Sequence, residues 1–268
     1  FITTAIEHKS IIEAMHFVQS HGCNVDFVAP SSSGRVEPEQ ILERVTDKTL
    51  LVSVMHVNSE TGIIQPVRAI GDALSDFPVY FHVDATQSFG KLNEELRQVK
   101  YDMLSVTAHK LGGPQGIGAL VLRRDHRYQR PPIKPLMYGG QQERGFRPGT
   151  TPVALVAGFA LAAQLCDAEA EQRMELCKKI KEQFFNEIAG IDYVLNGDPQ
   201  FCLPTTVNIS FSGVDAEGLF LALKEEYAFS NGSACNSSSH HPSYVLSAMG
   251  LSEQRISEAV RISWSGDT

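Results

Sequence analysis

The stretch Val79–Lys110, VYFHVDATQSFGKLNEELRQVKYDMLSVTAHK, holds an apolar run ending in Asp84, a polar amphipathic segment, and a second apolar run ending in Thr107, His109 and Lys110. It reads as one β-α-β unit. Parallel sheets collect ligands beyond the carboxyl ends of their strands, so Asp84, Gln87, His109 and Lys110 are expected to cluster although the chain separates them. A lysine can hold an aldehyde cofactor as a Schiff base, while a buried carboxylate keeps a pyridine nitrogen protonated so that the ring accepts electrons. Pyridoxal phosphate needs both groups. The alternative makes Asp84 a cap for the helix after it and Lys110 a solvated loop residue.

The flanking chain alternates strand and helix. Phe1–Ile6 reads as a strand leading to Glu7-His8-Lys9, followed by a helical pattern through Ile11, Ile12, Met15 and Val18 that Gly22 stops. Cys23–Ala29 reads as a strand, Glu37–Val45 as a helix, and Leu50–Val57 as an apolar strand meeting the polar loop Asn58-Ser59-Glu60-Thr61-Gly62. Val67–Leu74 supplies another helix. This alternation predicts an α/β fold with a mostly parallel central sheet. The glycines after Lys110 suit a tight path into a strand Gly118–Arg123, and Met137–Thr150, MYGGQQERGFRPGT, reads as a long functional loop.

Three parts follow: a large α/β cofactor domain over 1–150, a connecting helix over 151–189, and a smaller α+β domain over 190–268. In the last part, strands are expected at Thr206–Phe211, Tyr227–Ser230 and Val260–Trp264. Helices are expected at Ala216–Lys224, Pro242–Met249 and Ser252–Ala259.

The formal charge of -8 and the absence of a long basic run argue against a surface built to grip phosphate backbones, so nucleic acid is not expected as a direct partner. No run approaches the roughly 18 apolar residues of a membrane span. The nearest, Pro152–Leu165, reads as a buried helix, no secretory signal is visible, and membrane association is not expected. Five widely spaced cysteines without a C-x-x-C pair suggest a reducing, cytoplasmic setting. Phe1 opens inside a strand without an initiator methionine and the chain ends at SGDT without a stop signal, so further residues are expected on both sides.

Cys235 lies among small polar residues in Ser230–Ser239, which suits a nucleophile that must visit a substrate and present its product elsewhere, or else an ordinary surface thiol. Cys23, Cys166 and Cys177 fall in strand or helix patterns and read as packing residues, and Cys202 as a structural loop cysteine. His8 either lies over a cofactor ring or satisfies a loop hydrogen bond. Arg261, in the alternating run VRISWS, either takes a substrate carboxylate in its planar fork or forms a strand-edge salt bridge. His240 and His241 point to opposite faces in extended chain and have no second ligand pair at metal spacing, so no metal is expected. A thiol hydrolase would need a histidine base for Cys235, and no local signature supplies one.

The ordered set EHKS, HVNSETG, HVDATQS, TAHKLGGPQGIGAL, GGQQERGFRPGT and SNGSACNSSS resembles the NifS/IscS-type cysteine desulfurases of the class V aminotransferase group, over nearly the whole chain. The serine-rich segment around Cys235, followed by HPSYVLSAMG, is similar to the long-loop subgroup. The resemblance implies a fold-type I pyridoxal phosphate enzyme. In it Lys110 would form the Schiff base, Asp84 would pair with the pyridinium nitrogen, and His8 would stack on the ring and help move protons. Gln87 and Asn58 would reach the phenolic oxygen, Thr107 and His109 the phosphate, and Thr150 the phosphate of a partner subunit in a homodimer. Arg261 with Asn58 would hold the carboxylate of L-cysteine. Cys235 would take the sulfur as a persulfide, releasing alanine, and pass it to an acceptor protein for iron–sulfur clusters, tRNA thiolation or DNA phosphorothioation.

Thr107-Ala108 stands where many relatives show Ser-Gly, which keeps the hydroxyl. The family's amino-terminal phosphate-binding turn at a helix N-terminus lies outside these 268 residues, and a chain without it would anchor the phosphate less well. A selenocysteine lyase, or an incomplete sulfur-carrier scaffold, are the competing expectations.

Overall fold

The computed structural model describes residues 1–227, 229–230 and 242–265. Among them a six-stranded sheet runs in the order β2-β1-β3-β4-β5-β6, built from β1 Ile2–Thr4, β2 Asp26–Val28, β3 Leu51–Met55, β4 Tyr80–Asp84, β5 Met103–Thr107 and β6 Gly118–Leu122. The first five pair in parallel, and β6 closes the edge antiparallel to β5. Helices α1 Lys9–Ser20, α2 Pro38–Leu42, α3 Val67–Leu74 and α4 Asn93–Gln98 fill the crossovers. Apolar strands such as LVSVM of β3 suit a parallel sheet buried on both faces. The main core joins Ile2, Val28, Val52, Val54, Phe81, Val83 and Leu104 to Val67, Ile70 and Leu74 of α3.

A second, three-stranded antiparallel sheet has the order β7-β8-β9, from β7 Tyr193–Leu195, β8 Thr206–Phe211 and β9 Ala259–Ser263. It packs with α6 Ala216–Leu223, and α7 Tyr244–Ala248 and α8 Glu253–Ser257 lie before β9. Between the sheets runs α5, Val153–Glu187, 35 residues and roughly 52 Å long at 1.5 Å per residue. Its Ala162 and Cys166 pack beside Leu111, and its Cys177 packs with Val207, Ile209 and Trp264.

Three sequence expectations need correction. Cys23 is exposed rather than packed, because β2 begins only at Asp26. No strand forms at Tyr227–Ser230 among the described residues, where Ser230 makes a single bridge to Arg261. The apolar stretch near 152–165 was read as too short for a span and as buried, whereas α5 contains an 18-residue window of mean hydropathy 1.5 that meets the length and composition of a membrane span and is only 11% buried. Gln164, Asp167 and Glu169 kept that window from reading as one continuous apolar run.

The two sheets meet at one loop. After β3 the chain turns through Asn58–Gly62, and the Gly62 carbonyl accepts from the Leu203 amide at 2.9 Å while Cys202 Sγ donates to the Thr61 carbonyl at 3.4 Å. Gly62 adopts φ +74°, a left-handed conformation costly for other residues, and a Cβ there would stand 3.1 Å from Cys202 Sγ. Beside the loop, Ile6 and Met55 share a core cluster with Val245, Leu246, Met249 and Ala259.

Candidate active site

The strand order changes direction between β1 and β3, and in parallel sheets ligands sit at such a switch, outside the carboxyl ends. The residues there are Glu7 and His8 after β1, Asn58 after β3, Asp84 at the end of β4, and Thr107, His109 and Lys110 after β5. Register aligns Met55 with Asp84 and Asp84 with Ser105, so these ends lie side by side.

Asp84 is largely buried, and its Oδ1 accepts from the Thr86 amide at 2.9 Å. The sequence offered either a cap for the next helix or a ligand partner; α4 begins only at Asn93 with Leu92 at its N-cap, so Asp84 caps the local turn instead, and its Oδ2 has no hydrogen-bond partner among the described residues. Gln87 follows on the same turn; its carbonyl accepts from Lys91 Nζ at 3.0 Å, and its side-chain amide has no protein partner among the described residues. Burial, with the nearby charge of Lys110, pushes the Lys91 pKa down. Lys91 thus touches Gln87 and feels Lys110, which brings the turns after β4 and β5 together.

Lys110 lies exposed in a 3-10 turn, His109–Leu111, ended by Gly112 at φ +77°. Only glycine adopts that angle at little cost, so the Gly after Leu111 sets how the amine is presented. Thr107 Oγ1 and His109 Nδ1 lie 2.9 Å apart, forming a two-residue polar pair beside it.

His8 is the N-cap of α1, its Nδ1 accepting from the Ser10 amide at 3.2 Å. An amide can only donate, so in the neutral ring the proton sits on Nε2. Asn58 is buried and its Oδ1 accepts from the amides of Glu60 and Thr61, both at 2.9 Å. Its Nδ2 donates to the Ile6 carbonyl at 2.9 Å and toward Met55 Sδ at 3.4 Å. A thioether is a weak acceptor, so the second hydrogen is the one a ligand can recruit.

Arg261, half-buried on β9, donates from Nη1 to the Ser59 carbonyl at 3.2 Å, and it forms no strand-edge salt bridge among the described residues. Thr150 lies apart from these groups, on the exposed loop that lines a surface cavity of about 430 Å³ with Tyr138, Gln142 and Pro148. Cys235, His240 and His241 lie outside the described residues. Among the described residues no group of three or more His, Cys, Asp or Glu side chains could hold a metal ion.

Sequence reading missed four groups here. Glu7 is fully buried and accepts from Thr4 Oγ1 at 2.6 Å and the Met55 amide at 2.8 Å, while its Oε2 has no partner among the described residues. Burial pushes its pKa from 4.5 to about 8, outweighing those two donors. His82 lies two residues before Asp84, hence on the same sheet face, with Nδ1 and Nε2 each 2.8 Å from a hydroxyl, of Ser53 and Ser105. Burial pushes its pKa down and keeps it neutral. Glu60 takes a hydrogen bond from Ser243 of the N-cap of α7, and Lys91 completes the set. Adjacency to EHKS, NSETG and HVDATQS was the only available signal, because burial of a carboxyl leaves no pattern in the chain.

The residues fit pyridoxal phosphate by donor chemistry. One carboxylate oxygen, one carboxamide and one primary amine stand without partners among the described residues at the carboxyl ends of adjacent strands, beside a hydroxyl–imidazole pair suited to a phosphate.

Comparison with known proteins gives the same picture. A cysteine desulfurase IscS of Cronobacter sakazakii is 40% identical over 263 residues, 98% of this chain and 64% of its own length. IscS of Escherichia coli shows the same figures. The chain therefore spans somewhat less than two thirds of the curated relatives it matches. The crystal structure of DndA from Streptomyces lividans is 42% identical, with TM-score 0.88, covering 98% of this chain and 74% of that one. A structure described as SspA in complex with cysteine is 36% identical, with TM-score 0.84, covering 98% and 72%. The profile of the aminotransferase class-V family matches residues 1–265, and with the switch-point lysine and carboxylate in place, this chain belongs to that family.

Proposed function

We propose that this chain carries the main part of a pyridoxal phosphate-dependent cysteine desulfurase, which takes sulfur from L-cysteine and leaves L-alanine. The observation that carries the reading is the pairing of an open Asp84 oxygen at the end of β4 with the exposed Lys110 amine in the turn after β5. The IscS relatives and the cysteine complex of SspA support the choice of amino acid.

Bound pyridoxal phosphate supplies an electron sink for the bonds at the amino acid's α carbon. Lys110 would hold the aldehyde through Nζ, and the same amine would serve as the base that takes the α proton. Asp84 Oδ2 would hold the proton on the ring nitrogen, and Gln87 would donate to the phenolic oxygen. Thr107 and His109 would hold the phosphate. His8, with its proton on Nε2 in the neutral ring, would cover the ring and help move protons. Arg261 and the second Nδ2 hydrogen of Asn58 hold the substrate carboxylate. The Cys235 thiolate bonds to the substrate sulfur as the carbon–sulfur bond breaks, and the carbon side takes up a proton. Cysteine and a thiol become alanine and a persulfide, with no outside oxidant.

The reading extends to a homodimer in the cytoplasm that hands sulfur to an acceptor protein for iron–sulfur clusters, tRNA thiolation or DNA phosphorothioation, without direct nucleic-acid or membrane contact. Support for the dimer is the exposure of Leu136 and Tyr138 on the loop that ends in Thr150. Support for the compartment is that Cys23, Cys166, Cys177 and Cys202 are all free thiols.

The test uses the full-length protein loaded with pyridoxal phosphate. L-cysteine should yield alanine and a persulfide in equal amounts, and faster than selenocysteine yields alanine. Absence of alanine overturns the reaction, and preference for selenocysteine reassigns the substrate.

A further inference from the structure

Arg261 reaches the large sheet through one loop, Asn58–Gly62, and Glu60 is the residue that loop places on both sides of it. The Glu60 carbonyl accepts from Asn208 Nδ2 at 3.2 Å, and Asn208 is the cross-strand partner of Arg261. On the other side, the Glu60 carboxyl takes the hydroxyl of Ser243, at the start of α7. The Arg261 guanidinium is bonded to the carbonyl of the preceding residue, Ser59; burial pushes the Glu60 pKa up, and the Ser243 hydroxyl and the charge of Arg261 both work against that rise. Glu60 is buried, so these contacts are protected from water and salt.

An arginine side chain loses much rotamer freedom when it grips a ligand, so holding it beforehand strengthens binding. We propose that Glu60 is a positioning residue that holds Arg261 and Ser243 on one loop, and so sets the affinity for the substrate's carboxylate. This rests on the assignment of Arg261 as the carboxylate-binding residue of an amino-acid enzyme. Glu60 itself touches no reacting atom.

The experiment compares L-alanine with L-alaninamide, which lacks the carboxylate charge, by calorimetry on the full-length, cofactor-loaded protein. Wild type should bind the acid more tightly than the amide. Glu60→Gln keeps the backbone contacts of the loop but removes the carboxyl charge beside Arg261 and alters the acceptor for Ser243, so it should weaken L-alanine by about tenfold and leave alaninamide unchanged. Glu60→Asp should recover part of the loss, and KM for L-cysteine should rise in Glu60→Gln with kcat nearly unchanged. Melting temperature, measured alongside, separates positioning from unfolding.

Unchanged or tighter acid binding in Glu60→Gln, or equal weakening of acid and amide, overturns the proposal. Equal binding of acid and amide by wild type overturns the carboxylate site and the proposal with it. A wild type that separates acid from amide yet makes no alanine from cysteine sinks the reaction and leaves the role of Glu60 standing.

Discussion

The Met55 amide donates to the Glu7 carboxyl at 2.8 Å, across 48 residues of chain. The contact ties the carboxyl end of β1 to that of β3 at the switch in strand order, immediately before His8. Burial keeps Glu7 protonated over a range where exposed carboxyls are charged, so the bond is made to a largely neutral acid below about pH 8.

The pH dependence of stability follows with a definite sign. The folded chain holds a proton on Glu7 up to about pH 8, whereas the unfolded chain releases it near the ordinary 4.5. Its contribution is therefore fully present below 4.5 and is lost as pH rises through about 8. Urea midpoints should fall from about pH 5 to about pH 8, and Glu7→Gln should flatten that fall. An equally steep fall in the variant assigns it to other groups.

Leu246 is fully buried where Ile6 and Met55 meet Val245, Met249 and Ala259. Leu246→Ala leaves a cavity at the junction of the two sheets and should cost about 2–5 kcal/mol. Denaturant unfolding measures it, and a loss under about 1 kcal/mol would mean that the site collapses to fill the gap.

Lys110→Ala should abolish covalent attachment of the cofactor. After borohydride treatment, intact mass should rise by the reduced cofactor in wild type and stay unchanged in the variant, with turnover nearly lost. A mass increase in the variant would move the attachment to another amine, with Lys91 the first to test.

Cys235→Ala should retain cofactor and still bind L-cysteine, yet form no persulfide. Alkylation of trapped persulfide followed by peptide mass mapping reads this directly. Persulfide on another cysteine of the variant would reassign the sulfur acceptor.

Much of the architecture was legible in the chain. The buried strands β3, β4 and β5 are mostly apolar, each broken by one inner polar residue, Ser53, His82 or Ser105, and their polar ends named Asn58, Asp84, Thr107, His109 and Lys110 directly. Short edge elements were drawn too long, as Cys23–Ala29 against β2 Asp26–Val28 and Glu37–Val45 against α2 Pro38–Leu42 show. Edge segments carry few buried positions, so little periodicity marks their limits.

Local order, meaning strand, turn and the residue at each strand end, was written in the sequence because it depends on neighbours within a few positions. What the fold alone decided is which side chains lose water. Glu7 and Glu60 look like any surface acid in the chain, yet one is held by Met55 and the other by Ser243, 183 residues away. Burial and partnership are set by packing between distant segments, and it is packing that turns one ordinary carboxyl into a neutral acid and gives another a partner on a remote helix.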